Sequence, residues 1–136
     1  MSVDWNGAEA PSAGDVRRLA EAALEALPAA YGRAAREVAL RVEEVAPETI
    51  LAEMGIDDPF DLTGLYEGVP LTEKSVADQP MGPDMIWLFR RPILEEWVAR
   101  GDVSLGALVA HVLVHELAHH FGWSDAEIAR IDRWWE

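Results

Sequence analysis

The chain has no cysteine, which excludes both a disulfide framework and a metal site built on thiolates. Long apolar runs are absent too. Nothing in the sequence approaches the ~18 residues that a transmembrane helix needs. Basic residues are scarce: 11 Lys and Arg stand against 25 Asp and Glu, for a net charge of −14. That excess repels nucleic acid and anionic membrane surfaces, so neither is expected as a partner. The opening stretch, MSVDWNGAEAPSAGD, has no cationic segment followed by an apolar one, and a cytoplasmic placement is expected. Internal repeats and low-complexity tracts are also missing. What remains is ordinary globular composition, 50% apolar and 26% charged over 136 residues, enough for one core and one domain.

Along the chain, residues 1–11 are small and polar without periodicity and read as a flexible tail, leaving 12–136 as the single domain. Ser12 and Asp15 form a capping-box pattern opening a helix over 13–27, with Val16, Leu19, Ala20, Ala23, Leu24 and Leu27 on one stripe. Pro28 ends it, and a small linker follows. Glu37 to Glu43 alternates strictly, predicting a half-buried strand with Val38, Leu40 and Val42 inward. Pro47 then starts a short helix, Glu48 to Met54, closed by Gly55. From Asp57 to Asp84 the sequence turns irregular and rich in Gly and Pro, yet its recurring apolar residues favour a packed loop. Met85 to Phe89 reads as a buried strand. Pro92 begins a helix that Gly101 stops, and Asp102 is placed to cap a strongly apolar helix from about Val103 to Phe121. Gly122 fits its left-handed stop, and Ser124 with Glu127 opens a last helix.

All four histidines fall between His111 and His120, and five residues there spell His115-Glu116-Leu117-Ala118-His119. A helix advances about 100° per residue, so His115 and His119 share a face and can take adjacent corners of a zinc tetrahedron. Glu116, one step round the helix, can reach a water at the metal without being a ligand. A catalytic zinc site wants a third protein ligand and an open position. Gly122 lets the chain reverse, and Asp125 can bring a carboxylate back to the ion. Asp125 also has a bland reading, because an acid just after Ser124 is favoured by the helix dipole whatever its function. His111 reads as a non-ligand: on a straight helix it lies ~12 Å from His119. His120 points about 100° away from His119 and reads as packed or paired elsewhere. Tyr66 and the tryptophans read as packing, with Trp123 near enough to line a pocket.

The extended pattern His115-Glu116-x-x-His119-x-x-Gly122-x-x-Asp125 resembles the zinc signature of the metzincin-like clan of metallopeptidases. Closer still, Gly64-Leu65-Tyr66-Glu67-Gly68-Val69-Pro70-Leu71 and His115 to Gly122 resemble a family of small bacterial minimal zincin-like proteins. That resemblance spans roughly Glu37 to Asp125. It implies a zincin reduced to its sheet and active-site helix, with zinc as the cofactor and an extended peptide laid along a strand edge. Met85 to Arg90 is the expected acceptor strand. The chain departs from the larger clan in having Asp rather than His as third ligand. It also has no methionine among the 11 residues after Asp125.

The expected fold is therefore α+β, a small mixed sheet containing 37–44 and 85–90 packed against a central zinc-binding helix. The expected activity is peptide-bond hydrolysis by a monomer, with His115, His119 and Asp125 as metal ligands. Glu116 takes the proton of the attacking water and passes it to the leaving amine. Two rivals stand beside it: a zinc-binding domain with a vestigial site, and a metal-free domain working through its acidic surface.

Overall fold

The computed structural model describes residues 5–68 and 84–122, together with Ala126. Its centre is strand β3 (Met85–Phe89), paired on both sides. Strand β1 (Ala39–Glu43) runs parallel to it, with Leu40 opposite Ile86 and Val42 opposite Leu88. Strand β2 (Gly64–Glu67) runs antiparallel on the other side, with Gly64 opposite Leu88 and Tyr66 opposite Ile86. A strand flanked by neighbours and covered on both faces must be apolar at every position, which is why β3 shows a continuous run and not an alternation.

The two faces bury different clusters. On one, Ile86 and Leu88 join Val16 and Ala20 of helix α1 (Ala13–Glu25) and Val109, Val112, Leu113 and Leu117 of helix α5 (Leu105–Phe121). Val38, Leu40 and Val42 pack against that cluster, as the alternation predicted. On the other face, Phe89 meets Ala46, Leu62 and Leu51 of helix α3 (Glu48–Met54), with Leu65 and Trp87 at the margin. Arg41 closes the polar end of that face, its guanidinium 4.7 Å from the Trp87 ring centroid. The fold is thus α+β: a small mixed sheet between a long helix and a short one.

Local chemistry explains the element ends. Ser12 and Asp15 make both bonds of a capping box, at 3.1 and 2.8 Å. Gly55, Gly101 and Gly122 take the left-handed conformation that ends α3, helix α4 (Arg90–Arg100) and α5. Four expectations need correction. The segment after Pro28 is not a linker but helix α2 (Ala29–Arg36), started by the Pro28 carbonyl, which accepts from Tyr31 and Gly32. The cap of α5 is Ser104, whose hydroxyl accepts from Ala107 N at 3.1 Å, and not Asp102. Helix α4 starts at Arg90, two residues before Pro92. The stretch from Asp57 to Asp84, read as a loop, contains the 3-10 turn Pro59–Asp61 and strand β2. The capping box at Ser124 and Glu127 lies outside the described residues.

Helix α5 occupies the centre because it is apolar nearly all round, with Leu108, Val109, Val112, Leu113, Val114 and Leu117 all buried. No helix among the described residues is long and apolar enough to cross a membrane. The crossing of β2 over α5 depends on Gly64. A Cβ there would stand 2.7 Å from Val112 Cγ1 and 3.3 Å from both Glu116 Cγ and the Trp87 carbonyl. Gly64→Ala must push the strand off the helix and should cost about 1–3 kcal/mol in urea unfolding. Gly32→Ala, where nothing lies within 4 Å, should instead stabilise α2 by roughly 0.5–1 kcal/mol. Equal effects at the two positions would refute the close-packed crossing.

Candidate functional site

The last two turns of α5 bring His115, Glu116 and His119 together. Their ligand-type atoms all lie within 4.8 Å of one another, the compactness a single ion requires. The two imidazoles meet edge to face, with centroids 5.1 Å apart and planes at 83°. This is the outcome of i, i+4 spacing on a helix that ends only at Gly122. His119 is exposed and His115 half-buried, so the pair opens to solvent on one side. Neutral imidazoles with an adjacent carboxylate are donors that zinc accepts readily, and the residues present fit such an ion. His111 lies outside this group. Asp125 and Trp123 lie outside the described residues.

Glu116 keeps its carboxylate within 4.8 Å of the two imidazoles and lies beneath β2. Only 8% of it is exposed. Burial among apolar side chains pushes its carboxyl up to about 7, against a smaller opposing pull from a hydrogen bond donated by the Tyr66 backbone N–H. That donor follows from strand register. Phe89 N donates to the Thr63 carbonyl at 2.9 Å, so Thr63, Leu65 and Glu67 turn their main-chain groups towards β3. The groups of Gly64 and Tyr66 then turn to the free edge, where Glu116 lies. A carboxyl near neutrality, beside a metal-type cluster, is suited to taking and giving a proton at ordinary pH.

A second polar group sits behind this one. Tyr66 Oη donates to Asp84 Oδ2 at 3.0 Å, and His120 Nδ1 lies 3.0 Å from that oxygen and 3.2 Å from the phenol. His120 is 1% exposed and Asp84 is buried. Burial and the Asp84 carboxylate together push the Tyr66 phenol well above its usual range. The expectation that His120 is packed and paired away from His119 holds. The connection to Asp84 is not readable from sequence, because residues 66, 84 and 120 have no spacing rule between them. The one trace was Tyr66 and His120 falling in the two stretches that carry the family resemblance.

The acceptor strand also needs correction. Met85 to Phe89 is paired on both sides and offers no main-chain edge to a peptide. Among the described residues, the free edge beside Glu116 belongs to β2.

The model of a family described as zincin-like metallopeptidase matches residues 35–135, most of the chain and all of the site. No curated protein matches it.

The raised carboxyl makes a prediction about the metal-free protein. Between the ordinary 4.5 and about 7, the folded state holds a proton on Glu116 that the unfolded state has lost. Stability therefore falls as pH rises through that window and levels off above it. The burial cost at pH 8 is at most about 3 kcal/mol, at 1.36 kcal/mol per pH unit. Metal-free Glu116→Gln should be about 2–3 kcal/mol more stable than wild type at pH 8, and within about 1 kcal/mol at pH 5. A gap independent of pH in chemical unfolding would show that Glu116 is not a buried, costly charge.

Proposed function

The chain belongs to the zincin-like metallopeptidase family, and from that premise we propose that it is a zinc-dependent peptidase with Glu116 as its general base. The observation that carries this reading is the cluster of His115, Glu116 and His119, whose ligand-type atoms lie within 4.8 Å of one another with the Glu116 carboxyl buried beside the imidazoles. His115, His119 and Asp125 are the ligands in this proposal. Zinc, when bound, supplies a Lewis acid that polarises the scissile carbonyl and acidifies water.

The chain's own residues do the rest. Glu116 in its charged form accepts the proton of the attacking water, and in its neutral form gives a proton to the leaving amine. Its apolar surroundings keep bulk water from competing for that proton. Substrate is an extended peptide added to the edge of β2 that faces away from β3. The net charge of −14 disfavours nucleic acid and favours substrates that are neutral or basic. In this proposal the enzyme works as a monomer in the cytoplasm.

Metal analysis and peptide hydrolysis test this directly on untagged protein. Wild type should bind one zinc per chain. Asp125→Ala should weaken binding by at least the roughly 10–100-fold seen when even an outer partner of a ligand is lost. Glu116→Gln should keep its zinc and lose about 10²–10⁴ in kcat/KM. Turnover by that variant at the wild-type rate would refute the mechanism. Zinc binding without hydrolysis of any peptide would leave a metal-binding domain, and absence of zinc binding would remove both.

A further inference from the structure

The group formed by Tyr66, Asp84 and His120 is one connected unit that joins β2, the residue before β3 and α5. Asp84 Oδ2 is within 3.0 Å of both Tyr66 Oη and His120 Nδ1. An ionised carboxylate only accepts, so the phenol O–H and the imidazole Nδ1–H both donate to that one oxygen. Gly68 makes room for the group: a Cβ there would fall 2.5 Å from Asp84 Oδ1 and 2.7 Å from Tyr66 Oη. Buried polar clusters rarely add stability over apolar packing of the same volume, but they do select one arrangement over its neighbours.

The arrangement selected here is the seat of β2. That strand has four residues and is paired on one side only, so its ladder to β3 holds it weakly against tilting. Asp84 is tied to the sheet, its carbonyl accepting from Ala39 N at 2.9 Å. His120 belongs to the last turn of α5, one residue past His119. Tyr66 therefore works at both ends. Its side chain reaches Asp84 and His120, while its backbone N–H donates to Glu116, at an edge where a Cβ on the neighbouring Gly64 would stand 3.3 Å from Glu116 Cγ.

We propose that Tyr66, Asp84 and His120 are positioning residues, a buried latch that pins β2 against α5 and so aims the Glu116 carboxylate. The catalytic half of this inference rests on Glu116 being the general base; the structural half does not. Tyr66→Phe removes one hydroxyl and keeps the ring packed, so it is the first variant to make, with Asp84→Asn as the second. In metal-free protein, amide hydrogen exchange at residue 66 should quicken on the order of tenfold, while the amides of β1 and β3 keep their rates. With zinc bound, kcat should fall on the order of tenfold, with KM and zinc affinity within about twofold of wild type. Asp84→Asn should move both readouts in the same direction.

Unchanged exchange at residue 66 in Tyr66→Phe would overturn the latch. So would faster exchange across all three strands, which would make the group a determinant of the fold alone. A loss carried by KM or by zinc affinity would also overturn it, because the group would then act on substrate or ligands and not on the base. A wild-type protein that cleaves no peptide would defeat the peptidase reading by itself, and the exchange result would still decide whether the latch exists.

Discussion

A carboxylate buried on an apolar helix is the constraint around which this molecule is arranged. Glu116 sits on α5 between residues that face the core, and an ionised group there is expensive unless something polar meets it. The helix itself has nothing to offer, since its backbone donors are spent on its own turns. The partner has to come from outside, and it comes from the edge of the sheet. Strand β2 can deliver a backbone N–H to that depth only because Gly64 has no side chain where the two elements cross. Glycine in a strand is ordinarily a loss. Here its absent Cβ is what lets sheet and helix share one carboxylate.

Placement of β2 follows from β3, whose uninterrupted apolar run requires a neighbour on each side and cover on each face. One face is met by α1 and α5, the other by α3. The candidate site lies where a helix end, a strand edge and a buried polar group coincide. The division of labour on α5 is clean. His115 and His119 meet on the side that opens to solvent, Glu116 lies beside them and meets the strand, and His120 faces the inner polar group, all within six residues of one helix. A helical period of 3.6 supplies those separate directions without any further loop.

Most of this architecture was legible in the sequence, and the unread parts share a cause. Helix α1, strand β3 and the stop at Gly122 were readable because periodicity and caps are local signals. His115, Glu116 and His119 were readable for the same reason, since their chemistry is set by spacing within one turn. Strand β2 was not. Its four residues, Gly64-Leu65-Tyr66-Glu67, follow turn-rich sequence and are too few to show alternation, and they become a strand only through pairing with β3. The end of α5 shows the same limit at smaller scale. Asp102 and Ser104 are both good caps, and only the fold selects the hydroxyl that reaches Ala107. Asp84 was the hardest to foresee, because its role depends on Tyr66 and His120 arriving from elements 18 and 36 positions away. The choice of Met85 to Arg90 as an acceptor edge failed for a related reason: whether a strand is central or peripheral is a property of the whole sheet.

The features that burden the fold are therefore the ones that make the site. Bringing β2 close enough to exclude water raises the Glu116 carboxyl towards neutrality, and the same closeness destabilises the metal-free protein at neutral pH and above. Moving the strand outward would relieve that cost by rehydrating the carboxyl, but it would also withdraw the Tyr66 backbone N–H that meets it. Filling the space with an apolar side chain would stabilise the core and remove the proton acceptor. An apolar replacement for the inner group of Tyr66, Asp84 and His120 would face a similar exchange, since apolar contacts tolerate a range of strand positions that directed hydrogen bonds do not. A cost of this kind, placed where one helix meets one strand edge, is what the proposed site would impose on the fold.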